Sequence, residues 1–261
     1  MPSLSPLTIA LLAFAAFAAG FVDAIAGGGG LLTVPALSSA GLPAHWVLGT
    51  NKGQAVFGAV TSLVSFWKKG ELARDRVLLG LTLGFSGSVL GALLVLVVPP
   101  EPLRPMLGVL LLVALALVLL ARVFRSRKGK EKASANTPRA TAWRFGVIAV
   151  AMGAYDGFFG PGTGSLLIAA FVVFMGDGET RASGNAKIVN FASNCAALTI
   201  FALNGKVIWS VSLPMALANV AGAWLGARSV FRGGDKLVRA VLVLVVLALS
   251  AKILWSTWHH T

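Results

Sequence analysis

Two carboxylates stand where so apolar a sequence has little reason to place them. Of nine acidic residues, Asp23 and Asp156 alone fall inside long apolar stretches. A charged side chain at the centre of a bilayer costs at least about 2.5–3.5 kcal/mol. Each aspartate also precedes a glycine-rich run: Gly27-Gly28-Gly29-Gly30 follows Asp23, and Gly160-Pro161-Gly162-Thr163-Gly164 follows Asp156. Glycine lets the backbone unwind, and Pro161 removes a donor and blocks helix continuation. Unwound backbone is tolerated at membrane depth only where protein or a cavity surrounds it. Two chemistries fit such a carboxylate. It can carry a proton, or it can cap the free N–H groups of the next short helix and hold the break open.

The matching cations are Lys52, after Thr50-Asn51, and Lys187, after Asn185-Ala186. Each is expected to begin a long apolar helix. A lysine there adds positive charge to an already positive dipole end, which favours a nearby anion. Free N–H groups at Gly28, Gly29 and Gly30, and at Gly162, Thr163 and Gly164, attract anions for the same reason. Snorkelling of both lysines to the membrane surface is the plainer alternative. Lys187, Asn190 and Asn194 follow i, i+3, i+7 spacing and share one helix face. That face reads as a polar lining or as interhelical hydrogen bonding. The first half offers a less regular set in Gln54, Thr61, Ser62 and Ser65. His45 is expected in a solvated loop and Cys195 in packing. No His lies in the apolar stretches, and no metal-ligand cluster or Ser/His/Asp arrangement appears, so neither an enzyme nor a metal or cofactor is expected. The GPGTG run lacks the Lys-Ser/Thr ending of a phosphate-binding loop.

The elements that must position these groups follow from composition. Of 261 residues, 57% are hydrophobic and 12% charged, against roughly 25% charged in an average soluble domain. That balance excludes a soluble fold. A spanning helix needs about 20 apolar residues, and candidates fall at 7–26, 50–67, 75–98, 104–124, 142–159, 187–204, 208–228 and 237–256. Segments 31–42 and 165–176 are shorter and follow the glycine runs, so they read as re-entrant or broken pieces. The expectation is an all-α polytopic membrane protein with eight spans and two short segments. The net charge of +13 does not imply nucleic acid, because 16 of the 22 basic residues cluster in 68–76, 122–144 and 228–239. The positive-inside rule places all three in the cytoplasm and both termini outside.

The halves match at a fixed offset. Gly49-Thr50-Asn51-Lys52 aligns with Gly184-Asn185-Ala186-Lys187 at 135, as do Gly87 with Gly222 and Gly91 with Gly226. Asp23 aligns with Asp156 at 133. Corresponding loops differ in basic charge, which marks inverted repeats with substrate held between the halves. The first repeat is assigned to 1–124, a basic cytoplasmic linker to 125–141 and the second repeat to 142–261.

The run Asp23-Ala24-Ile25-Ala26-Gly27-Gly28-Gly29-Gly30-Leu31-Leu32-Thr33-Val34-Pro35-Ala36-Leu37, then Gly49-Thr50-Asn51-Lys52, resembles the first signature of the TauE/SafE family of sulfite exporters. The second signature is similar in Asp156-Gly157-Phe158-Phe159-Gly160-Pro161-Gly162-Thr163-Gly164-Ser165 and Asn185-Ala186-Lys187. The resemblance covers nearly the whole chain and implies a multi-pass permease of a bacterial or archaeal inner membrane. Its expected partners are the bilayer, a small sulfur-containing anion such as sulfite or an organosulfonate, and a second copy in a homodimer. The expected activity is secondary transport by alternating access, with a passive anion channel or a cation transporter using the two aspartates as rivals.

Overall fold

A computed structural model describes residues 4–128 and 138–232. They form nine α-helices with no strand among them: α1 Pro6–Ala26, α2 Gly30–Ser39, α3 Ala44–Lys68, α4 Val77–Leu96, α5 Pro100–Lys128, α6 Pro138–Phe158, α7 Thr163–Ala170, α8 Glu179–Leu203 and α9 Trp209–Arg232. A single 3₁₀ turn leads into α4, and α7 ends in a π-helical turn, Phe171–Met175. By length and apolarity α1, α4 with its leading turn, α8 and α9 can each cross a membrane. The expected span 237–256 lies outside the described residues. Both ends of the linker assigned to 125–141 are helical, since α5 continues to Lys128 and α6 begins at Pro138; Arg and Lys are good helix formers and extend α5 past its apolar stretch.

The distribution of side chains is the reverse of a soluble protein's. Leu7, Phe14, Leu78, Leu94 and Leu217 are exposed, whereas Asn51, Lys52, Gln54, Asp156, Lys187, Asn194 and Asn219 are buried. Apolar surface of this extent belongs against lipid tails, and the polar interior must satisfy itself.

Local sequence sets the helix ends. Ser5 caps α1 by accepting from the Thr8 N–H at 3.1 Å, and proline occupies the first turn. Gly27 at φ 69° and Gly28 at φ 110° end α1; Gly160 at φ 98° and Gly162 at φ 84° separate α6 from α7. These left-handed conformations favour glycine. The two breaks meet. A Cβ on Gly27 would lie 2.2 Å from the Gly164 carbonyl carbon, and one on Gly164 would lie 2.6 Å from the Gly27 Cα.

Helices of one half pack on helices of the other. Gly87 and Gly91 on α4 let the α6 carbonyls of Val150 and Ala154 approach where a Cβ would stand, at 2.3 and 2.0 Å. Gly222 and Gly226 on α9 do the same for the Phe17 and Phe21 carbonyls of α1, at 2.0 and 2.4 Å. The offsets of 135 and 133 that relate the sequences thus also relate these contacts. Small-residue stripes of this kind bring helix backbones together in membranes.

Candidate functional site

Where α1–α2 and α6–α7 break, a cavity of about 40 Å³ of water-accessible space remains between the halves. One water needs roughly 10–15 Å³ on this measure, so the space matches roughly three waters or one small oxyanion. Gly28, Gly29 and Gly30 reach it from the start of α2 and Gly164 from the start of α7, while Asn51, Lys52 and Gln54 reach it from α3. Asp23, Asp156, Asn190, Asn194 and Asn219 complete the polar wall.

Both lysines lie deeper than expected. Lys52 is the ninth residue of α3 and Lys187 the ninth of α8, more than two turns from either N-terminus. The helix-start argument for their attraction to anions therefore fails, and so does snorkelling, because Lys52 is 1% and Lys187 0% exposed. Each instead pairs with the aspartate of the opposite half. Lys52 Nζ lies 2.8 Å from Asp156 Oδ2, and Lys187 Nζ lies 3.2 Å from Asp23 Oδ2. Lys187 also donates to the Asp23 main-chain carbonyl. A buried ion pair is costly unless its remaining lone pairs are satisfied, and both carboxylates find further donors. Asp23 Oδ1 accepts from the Gly28 and Gly29 N–H groups at 3.0 and 3.3 Å, and Oδ2 from Asn190 at 3.4 Å. Asp156 Oδ2 accepts from the Ser193 hydroxyl at 2.6 Å. The exchange is unequal: the Asp23 side chain keeps 21% of its surface exposed and that of Asp156 only 3%.

Other residues singled out by sequence stand elsewhere. Lys187 touches Asp23 but does not line the cavity. Thr50 Oγ1 accepts from the Ile208 N–H at 3.1 Å, and Asn185 Oδ1 accepts from the Ala73 N–H at 2.9 Å. These two contacts correspond at the offset of 135, and each fastens a loop of one half onto a helix of the other. Asn185 also donates to Asp177, which pairs with Arg76 at 2.7 Å. Gly162 turns the chain into α7, and Thr163 donates back to the Gly160 carbonyl. His45 is buried in α3, not solvated, with Nε2 3.1 Å from the Val95 carbonyl. Helix α3 starts six residues before the expected span, because Pro43 sets its N-terminus.

Sequence reasoning missed Asn219, at the middle of α9. It donates to Gln54 Oε1 at 2.6 Å and to the Ala16 carbonyl at 3.2 Å. An amide in the centre of an apolar stretch was the available signal. The repeat hid it, since the offset of 135 places it opposite Gly84.

Among the described residues no three of His, Cys, Asp and Glu gather as a metal site. The family profile described as "Sulfite exporter TauE/SafE" matches residues 12–253. The chain is 38% identical to "Probable membrane transporter protein YfcA" of Escherichia coli K12, over 97% of this chain and 92% of that one. It is 38% identical to "Probable membrane transporter protein ORF9" of Sinorhizobium sp, over 96% and 94%. A "Probable membrane transporter protein" of Haemophilus influenzae shares 37% over 97% of both chains. No solved structure matches the chain significantly. A cavity lined by charged and amide side chains, between helices whose exposed surfaces carry leucine, agrees with these likenesses, and the chain belongs to the TauE/SafE family as a multi-pass membrane transporter, not an enzyme.

Proposed function

We propose that the protein is a secondary transporter that exports a small anion, such as sulfite or an organosulfonate, by alternating access between two inverted repeats in the bacterial inner membrane. The observation that carries this reading is the cavity at the crossing of the two broken helices, with Lys52 in its wall. Two short helices start there with the positive ends of their dipoles toward it, the Gly28 and Gly29 N–H groups being already held by Asp23. Lys52 is neutralised by Asp156, so an entering anion competes with that carboxylate for the ammonium group. Such competition suits a carrier, which must bind its substrate and also release it. Thr50, Asn185, Gly162 and Thr163 support the walls from outside the cavity, and Lys187 holds Asp23 in place. The basic segments face the cytoplasm and both termini the periplasm, in keeping with the positive-inside rule.

A cation transporter using Asp23 and Asp156 fits less well, because both carboxylates are paired with lysines. A passive anion channel would share the same lining. Proteoliposomes carrying the purified protein separate these readings. Labelled sulfite should accumulate uphill by counterflow against trapped unlabelled sulfite. Equilibration without overshoot would indicate a channel, and no sulfite or sulfonate movement would defeat the anion reading.

A further inference from the structure

We propose that Asn219 and Gln54 are positioning residues that fix the amide of Asn51 with its N–H groups open to the cavity, as a donor to the anion. The inference rests on the reading of the cavity as an anion site. Its physical basis is a chain of amides whose direction is set at one end. The Ala16 carbonyl can only accept, so the side-chain group of Asn219 that meets it at 3.2 Å must be its NH₂. The same Nδ2 lies 2.6 Å from Gln54, which therefore presents Oε1. Gln54 then offers Nε2 to Asn51, which accepts on Oδ1 at 3.0 Å. The Thr33 hydroxyl donates to that same oxygen at 2.5 Å. With its oxygen held by two donors, Asn51 is left with both N–H groups of Nδ2, beside Lys52 in the cavity wall.

Asn219 cannot reverse the chain without setting its Oδ1 against the Ala16 carbonyl, and its side chain is closely packed. Its Oδ1 fills the space a side chain at Gly58 would need, where a Cβ would lie 1.6 Å away; a Cβ at Gly20 would lie 2.3 Å from its main-chain carbonyl oxygen. The fold does not require this chain. At the offset of 135, Gln54 corresponds to Val189 and Asn219 to Gly84, and there valine simply packs on glycine, 3.1 Å from where a Cβ would stand. One half therefore carries an oriented polar relay at the cavity wall, and the corresponding positions of the other half carry apolar contact.

The test uses the full-length protein with sulfite as the probe. In Asn219→Asp the ionised carboxylate cannot donate, so Gln54 turns its NH₂ toward it and offers Oε1 to Asn51; the protonated acid, which burial against the Ala16 carbonyl favours, still donates and leaves the relay unreversed. In the ionised form Asn51 then turns its own oxygen to the cavity, and Thr33 turns its hydroxyl to the Gly29 carbonyl, 3.3 Å away. A donor to an anion becomes an acceptor, and sulfite affinity should fall about 10- to 100-fold. The neutral variants Asn219→Leu and Gln54→Leu break the relay without reversing it and should lose less. In counterflow all three should raise KM and keep kcat, which a general loosening of the fold would not do. If Asn219→Asp does not fold, or keeps wild-type affinity because its buried acid stays protonated, the two leucine variants decide. Dissociation constants within twofold of wild type, or a fall in kcat at unchanged KM, would overturn the relay. Wild-type protein that binds no sulfite or sulfonate would remove the anion reading itself and the relay with it.

Discussion

Lysine 52 and aspartate 156 are each unstable company for the interior alone. Removing one partner of a buried pair leaves an uncompensated charge at a cost of about 3–5 kcal/mol. Lys52→Met should therefore lower thermal stability sharply, and Lys52→Met with Asp156→Asn should recover most of it. Both pairs should behave alike in stability and differently in binding. Lys187→Met with Asp23→Asn keeps an oxygen to accept from the Gly28 and Gly29 N–H groups. That double variant should bind sulfite no more weakly than wild type, because Lys187 lies outside the cavity lining and the change at Asp23 removes a negative charge from its wall; calorimetric titration of both proteins checks this. Much of the site was open to reading at this scale. A carboxylate in an apolar run is costly wherever it is found, so Asp23 and Asp156 stood out. Which lysine answers which aspartate was not readable, because the partners sit 104 and 164 positions apart and on opposite halves. Asn219 escaped because it has no counterpart in the repeat.

Hydropathy located α1, α4, α5, α6 and α9 to within about four residues at each end. It failed where a helix is polar inside the protein. The stretch Thr50-Asn51-Lys52 reads as a water-facing edge, yet α3 begins at Ala44, and Glu179 opens α8 well before Lys187. A span lined by a cavity carries its polar residues at mid-depth, and a window average mistakes them for its end. The short helices were expected from the glycine runs. Which residues of the two runs touch was not legible, since local sequence holds no information about the register in which segments cross. This contact allows no side chain. Gly27→Ala or Gly164→Ala should yield little folded, monodisperse protein by size-exclusion chromatography. Gly178→Ala, where a Cβ meets nothing within 4 Å, should change stability by about 1 kcal/mol or less.

The halves of the molecule interlock. Helix α1 packs on α9 and α4 on α6, and the loops at 70–73 and 205–208 fasten onto α8 and α3 of the opposite half. The glycines that permit this are too closely fitted for either half to be complete alone. Expressed separately, residues 1–128 and 138–261 should each aggregate or be degraded. Co-expressed, they should assemble and co-purify through a tag on one half. The cavity lies at that joint, and under the proposed function an anion competes there with Asp156 for Lys52. The most direct test is thermal unfolding of the purified protein with increasing sulfite, comparing wild type with Lys52→Met/Asp156→Asn. Ligand stabilisation follows concentration over the dissociation constant. The wild-type Tm should rise with sulfite, and the folded double variant should show no rise. An equal rise in both proteins would show that sulfite does not bind at Lys52.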